Sequence, residues 1–225
     1  MTLARRCLAE FIGTGFLLAA IVGSGIMAER LSGGNVAIAL LANTLATGGV
    51  LVCLIIALGP ISGAHFNPAV SLAGALFGGL SWGEAFGYAA SQIVAGIVGV
   101  ATANIMFGLP LFSVSRHIRA GPSIWFAEFV ATFGLLLVIW GCVRVKSQFT
   151  AFAVAAYIVA AYWFTSSTSF ANPAVTIARS MSDTFAGIRP IDIPMFVVAQ
   201  LLGAFAATFV FRYVVGTGVL VEERQ

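Results

Sequence analysis

From Leu31 to Gly83 the chain carries no Asp, Glu, Lys or Arg, and that run decides what kind of fold is open to it. Further uncharged runs cover Phe11–Ala28, Ala85–Ser115, Phe129–Val143, Ser147–Ala178 and Ile193–Phe211. A helix crossing the hydrocarbon core of a bilayer needs about 20 mostly apolar residues. These runs supply six spans, near 8–28, 36–58, 84–107, 123–143, 149–168 and 194–215. With 8% charged residues and a mean hydropathy of +1.03, the chain is too apolar for a soluble domain. Arg5-Arg6 ahead of the first apolar run imitates a secretory leader. Glu10 inside that run has a counterpart later in the chain, which makes it an uncleaved first span.

Charge and cysteine content narrow the partners. A net charge of +3 without a basic cluster leaves nothing to neutralise phosphates, so no nucleic-acid partner is expected. Cys7, Cys53 and Cys142 form neither a disulfide framework nor a metal-ligand spacing, so no metal and no cofactor are expected. Six spans bring both termini to one side. Placing that side in the cytoplasm gathers Arg5, Arg6, Arg144, Lys146, Arg212 and Arg224 there, against Arg30, Arg116, Arg119, Arg179 and Arg189 outside. This positive-inside balance predicts a multi-pass protein of the inner (plasma) membrane with cytoplasmic termini.

The chain also repeats itself. Ala-Glu-Phe occurs at Ala9–Phe11 and Ala127–Phe129, and Asn-Pro-Ala-Val at Asn67–Val70 and Asn172–Val175. Ser91–Gly96 (SQIVAG) is echoed by Ala199–Ala204 (AQLLGA). The order Glu10, Asn67, Gln92 thus returns as Glu128, Asn172, Gln200. Each half, approximately 1–112 and 120–225, holds three spans, an odd number, so the second half enters the membrane from the opposite side. Residues 1–225 form a single domain built as an inverted repeat.

The segment after each Asn-Pro-Ala is apolar but too short to cross a bilayer. Asn at N-cap and Pro at N1 mark a helix start in both copies, Asn67-Pro68-Ala69 and Asn172-Pro173-Ala174. A helix starting inside an apolar segment reads as a re-entrant half-helix, whose irregular backbone is tolerated only where it lines a cavity or is buried. The opposed repeat brings the two starts together near the midplane. Gly79, Gly83 and Gly87 form a small-xxx-small series entering span three, which predicts close helix packing there.

Two Asn-Pro-Ala motifs, SGAHFNPAVS at Ser62–Ser71, and the pairs Glu10/Glu128 and Gln92/Gln200 resemble the aquaporin (major intrinsic protein) family over almost the whole chain. The resemblance implies an all-α integral membrane fold of six transmembrane helices plus two half-helices. It also implies one pore per subunit and a homotetramer in the lipid bilayer, and it makes a passive channel the expected function and an enzyme not expected. Glu10, Glu128, Gln92 and Gln200 are then buried structural groups. Asn67 and Asn172 cap their helices and present donors at the pore centre, where two positive helix tips repel cations.

The resemblance also locates a selectivity filter on Thr47, Ala160, Ser169 and Val175, with Ala161 the alternative in span five if the count slips by one. Most relatives carry Arg where this chain has Val175, and with it a cation and up to five donors. The expected filter is therefore wider and more apolar. Arg179, one turn beyond Val175, either places positive charge at the outer vestibule or snorkels to the interface. His65 edges the inner vestibule or fixes its loop, Cys53 packs as an apolar residue, and Tyr162-Trp163-Phe164 read as an interfacial belt. Asn-Pro-Ala-Val with an open filter resembles the aquaglyceroporins encoded in bacterial arsenic-resistance operons. That resemblance implies arsenite, organoarsenicals, glycerol and water as solutes. The alternatives are an ordinary water channel in which another residue compensates for Val175, and a coupled secondary transporter, which also uses inverted repeats.

Overall fold

A computed structural model describes residues 1–215; Arg224 and the tail after Val221, which the charge balance assigns to the cytoplasm, lie outside the described residues. The described residues form α1 (Leu3–Leu31), α2 (Val36–Ser62), α3 (Pro68–Phe77), α4 (Trp82–Met106), α5 (Pro122–Arg144), α6 (Thr150–Phe164), α7 (Pro173–Arg179) and α8 (Ile193–Val215). A single 3-10 turn, Pro190–Asp192, precedes α8.

Local chemistry sets these boundaries. The Asn35 side chain accepts hydrogen bonds from the N–H groups of Ala37 and Ile38 and so starts α2. Ser81 and Glu84 form a capping box that starts α4. Pro68, Pro122 and Pro173 occupy first-turn positions of α3, α5 and α7, where a missing N–H costs nothing.

Five helices (α1, α2, α4, α5 and the segment containing α8) have the length and apolarity to cross a membrane. The sixth, α6, has 15 residues and so spans only about 22 Å. The span read over 149–168 stops early because Thr165 turns extended while its hydroxyl donates to the Ala161 carbonyl at 2.7 Å. The irregular chain that follows is packed inside the protein, with Ser167 and Ser169 buried.

The two halves pack alike. α1 lies against α2 and α4, and α5 against α6 and α8. Each half-helix then bridges the halves: α3 touches α4 and α8, and α7 also touches α4 and α8. The expected tight packing at Gly79, Gly83 and Gly87 is absent. A Cβ would meet nothing within 4 Å at Gly83 and only ordinary contacts at Gly79 and Gly87. The close approaches lie further along, where a Cβ on Gly99 would fall 2.3 Å from the Gly15 carbonyl oxygen, and one on Gly203 2.4 Å from that of Phe129.

Backbone cannot give way as a flexible side chain can. Gly203→Val is therefore expected to separate α5 from α8 and lower stability by about 3 kcal/mol. Gly87→Ala, whose Cβ meets only the Cys7 sulfur at 3.6 Å, should melt near the parent temperature. Thermal unfolding of the two purified variants in one detergent checks the contrast.

Candidate functional site

The centre of the molecule is built from two loops in unusual backbone. Ala64 and Phe66 before α3, and Ser169 and Ala171 before α7, all have φ between 48° and 51°. None is glycine, and left-handed backbone costs an ordinary residue about 1–3 kcal/mol. The two pairs are related by the same offset as Asn67 and Asn172, so the strain is part of the repeat.

Two buried carboxylates hold the loops in that shape. Glu10 accepts hydrogen bonds from Ser62 Oγ (2.6 Å), the main-chain N–H of His65 (3.0 Å) and of Phe66 (2.6 Å), and Gln92 Nε2 (2.7 Å). Glu128 accepts from the N–H groups of Phe170 (2.8 Å) and Ala171 (2.9 Å) and from Gln200 Nε2 (2.6 Å). Gln92 also donates to Ser71 Oγ and Gln200 to Thr176 Oγ1, tying each loop to its own half-helix. A carboxylate deep in a membrane protein needs such partners to remain there.

The two asparagines cap their own helices and clasp each other's loops. Asn67 Oδ1 accepts from the Ala69 N–H at 2.9 Å, and Asn172 Oδ1 from those of Ala174 at 2.9 Å and Val175 at 3.3 Å. Asn67 Nδ2 donates to the Ala171 carbonyl at 2.7 Å, and Asn172 Nδ2 to that of Phe66 at 2.8 Å. An amide nitrogen has two hydrogens. One is used in this crossing, which leaves the other for a solute. Pro68, Ala69, Pro173 and Ala174 are buried behind the asparagines and shape the helix starts.

Both asparagines line a cavity of about 250 Å³ that runs from Val143 and Thr150 at one end to Thr47 and Arg179 at the other. Spanning helices contribute stripes spaced by four residues: Leu17 and Ile21; Thr47, Leu51 and Ile55; Leu135, Ile139 and Val143; Thr150, Val154, Ile158 and Tyr162. Val70 and Val175 extend the apolar wall beside the asparagines. His65 also lines the cavity, with Nδ1 3.1 Å from Ser71 Oγ. Cys53 is off the α2 stripe and exposed on the outside, instead of packed within. Among the described residues no group of three or more His, Cys, Asp or Glu side chains is placed to hold a metal.

Thr47, Ser169 and Val175 line this cavity together with Arg179, but Ala160 does not join them. Ala160 is exposed on the outer side of α6, and Ala161 is buried without reaching the lumen. Tyr162 of the same helix lines the cavity instead, its hydroxyl 3.4 Å from Thr47 Oγ1. Two residues along a helix turn the side chain by about 200°, so a count short by two lands on the opposite face. Tyr162 thus leaves the interfacial belt, while Trp163 and Phe164 stay exposed.

Arg179 does not snorkel to an interface. It is 2% exposed, donates through Nε to the Ala186 carbonyl, and sets its guanidinium carbon 3.4 Å from the centre of the Phe170 ring. A second arginine, Arg119 from the connection between α4 and α5, lies over the same ring at 4.9 Å. Arg119 donates through Nε to the Gly187 carbonyl at 2.8 Å and through Nη1 to that of Ser167 at 3.3 Å. The nearby loop acids are held by other guanidinium groups, although Asp192 Oδ2 also accepts from the Arg119 main-chain N–H at 2.8 Å. The Arg116 main-chain N–H and guanidinium hold the Asp183 carboxyl below the usual carboxylate range, and Asp192 pairs with Arg189 at 3.0 Å. Tyr162, Phe170 and Arg119 were not expected at the site. The four-residue stripe in α6 carries the signal for Tyr162, whereas no local pattern marks Arg119.

Comparison with known proteins agrees with this architecture. The family model described as major intrinsic protein matches residues 1–150 and 125–224. Aquaglyceroporin AqpS of Rhizobium meliloti (strain 1021) is 53% identical over 211 residues, covering 94% of this chain and 90% of its own. Aquaporin NIP1-1 of Oryza sativa subsp. japonica is 28% identical over 93% of this chain and 74% of its own. The X-ray structure of the aquaglyceroporin from Plasmodium falciparum superposes with a TM-score of 0.69 at 20% identity, covering 95% of this chain and 97% of that one, and supports the fold.

Proposed function

The chain belongs to the major intrinsic protein family, and from that premise we propose that it is a passive membrane channel for small neutral solutes conducted along its central cavity. The observation that carries the reading is that Val175 lines the cavity with Thr47, Tyr162 and Ser169, four residues before Arg179 on α7, and we take these four side chains as one level of the pore. At that level a solute meets hydroxyl groups and a methyl surface instead of a guanidinium. Further in, it meets the free amide hydrogens of Asn67 and Asn172, which replace part of the hydration it gave up.

Ions fare differently. The wall formed by Leu17, Ile21, Leu51, Val70 and Val175 offers no oxygen shell to a dehydrated cation. The helix tips behind both asparagines add a positive field. Among the described residues no carboxylate lines the cavity, so nothing binds a driving ion in the manner of a coupled transporter. Glycerol and arsenous acid are neutral, carry several hydroxyls and suit a wide lumen with a few donors. Methylated and aromatic arsenicals extend the same argument, and the 53% identity to a protein named aquaglyceroporin favours it over a water-only pore. Inner-membrane placement with both termini in the cytoplasm, and a homotetramer, complete the reading. Large apolar side chains such as Phe16, Leu45, Phe86 and Leu202 cover the outer surface, as lipid or neighbouring subunits require.

Liposomes containing the purified protein test it. Light scattering should record glycerol and arsenite entry that scales with the solute gradient and ignores ionophores. Saturable uptake driven by a proton or sodium gradient would overturn the proposal. Tyr162→Ala probes the ring itself: erythritol flux relative to glycerol should rise roughly tenfold, a barrier change of about 1.4 kcal/mol. An unchanged ratio would remove Tyr162 from the narrowest level.

A further inference from the structure

We propose that the Arg179 end of the lumen is a binding site for one small monovalent anion, and that its occupancy slows the flux of neutral solutes. The binding part stands on the residues alone; the flux part rests on the channel reading above.

The site is assembled from buried groups with spare donors. Arg179 Nη1 and Ser169 Oγ are both buried without any hydrogen-bond partner, on residues each 2% exposed. Both residues line the cavity, together with the hydroxyl-bearing Thr47 and Tyr162. An orphaned guanidinium nitrogen in a membrane protein is costly, and the cost falls when a small side-chain movement gives it an acceptor in the adjoining cavity.

Charge selects the kind of acceptor. The guanidinium carbons of Arg179 and Arg119 lie 3.4 and 4.9 Å from one ring centre, so two like charges stand within roughly a Debye length of each other. Among the described residues the ion pairs are Arg6–Glu84, Arg116–Asp183 and Arg189–Asp192, so neither guanidinium is paired with a carboxylate; Asp192, which also accepts from the Arg119 main-chain N–H at 2.8 Å, is balanced by Arg189. Glu128 is the one acid behind this loop, and its oxygens accept from Phe170, Ala171 and Gln200. Two cations against one carboxylate leave an excess of about one positive charge, which suits a monovalent anion.

The same geometry keeps the anion from crossing. Inward of Arg179 the wall turns to Val175, Val70 and Leu51, so a dehydrated anion would have to leave the guanidinium for methyl surface before it reached the asparagine donors. The anion therefore rests beside the guanidinium in the path of glycerol and competes with it. Halides and small carboxylates share this chemistry, so chloride and formate serve as probes, with isethionate as a bulky reference at equal ionic strength.

Two readouts on the full-length protein decide the matter. In detergent, chloride or formate should raise the melting temperature along a saturating curve, while isethionate should not. In proteoliposomes, glycerol flux should fall at least twofold, an effect of roughly 0.4 kcal/mol, when chloride replaces isethionate. Arg179→Gln should erase the chloride dependence of both readouts, and Ser169→Ala should weaken the melting response roughly threefold. Arg116→Gln, at the exposed loop arginine, should leave that response in place. Identical behaviour in chloride, formate and isethionate overturns the site, as does a full chloride response in Arg179→Gln. If Arg179→Gln does not fold, an undiminished response in both Ser169→Ala and Arg119→Gln overturns it instead. A protein that melts higher in chloride but passes no glycerol keeps the anion site and rejects the channel reading.

Discussion

Replacing Val175 by arginine should cut the flux of glycerol and bulky arsenicals at least tenfold while water flux stays within about threefold, a selective barrier increase of roughly 1.4 kcal/mol or more. Val175 is 3% exposed on the wall of a cavity of only about 250 Å³, so a longer side chain has little room except the lumen itself. The added guanidinium would stand level with Thr47, Tyr162 and Ser169, narrowing the ring and supplying donors that water exploits and larger solutes cannot pass. It would also lie four residues before Arg179, where like charges on one helix face repel by a few tenths of a kcal/mol. That cost is small beside the steric effect, so the variant should still fold. Matched proteoliposomes carrying equal amounts of wild type and variant, compared by stopped-flow light scattering, give the ratio. Equal passage of phenyl-substituted arsenicals through both would mean that residue 175 does not border the narrowest level.

Glu10→Ala should remove most of the protein's stability. Its carboxylate takes four hydrogen bonds, two of them from the main chain of a loop that holds Ala64 and Phe66 in left-handed backbone. Each donor left buried without a partner costs about 1–3 kcal/mol. Even the low end of that range, summed over four donors, approaches the whole stability of a typical domain, about 5–15 kcal/mol. A loss of roughly 4 kcal/mol would lower the melting temperature of a chain this size by about 10 °C. Glu10→Gln keeps an acceptor for part of the cluster and should fall between the two. Monodisperse yield and thermal unfolding in detergent provide the measurement. A Glu10→Ala protein melting within about 2 °C of wild type would show that the loop needs no carboxylate.

Much of this arrangement is legible in one dimension because the repeat is. Asn67 and Asn172, Glu10 and Glu128, Gln92 and Gln200 recur in the same order, and a duplicated polar set in an oily chain has to meet at one place. Helix counts follow from uncharged runs, since a bilayer fixes the length of a span. The misplacements arise where chain geometry leaves the repeat. α6 ends after Phe164 and gives way to irregular backbone through Thr165–Ser169, so counting across that turn selects Ala160, which points outward, and passes over Tyr162, which lines the cavity. Periodicity inside α6 is the better guide, because Thr150, Val154, Ile158 and Tyr162 are the larger or polar residues of one stripe among alanines. Arg119 illustrates the harder limit. It sits in a long connection without helical period, and only the folded loop brings it to Phe170. The glycines teach the same point: the regular Gly79-Gly83-Gly87 series meets almost nothing, while Gly99 and Gly203 touch the main chain of neighbouring helices.

The central claim is that neutral solutes larger than water pass the hydroxyl and methyl wall at residue 175 and then two asparagine donors, and the permeability of wild-type proteoliposomes to neutral solutes of increasing width tests it most directly. Water, urea, glycerol and arsenous acid should all pass, with permeability declining gradually towards erythritol and the phenyl arsenicals. Rapid water flux with no measurable entry of glycerol or arsenous acid would contradict it.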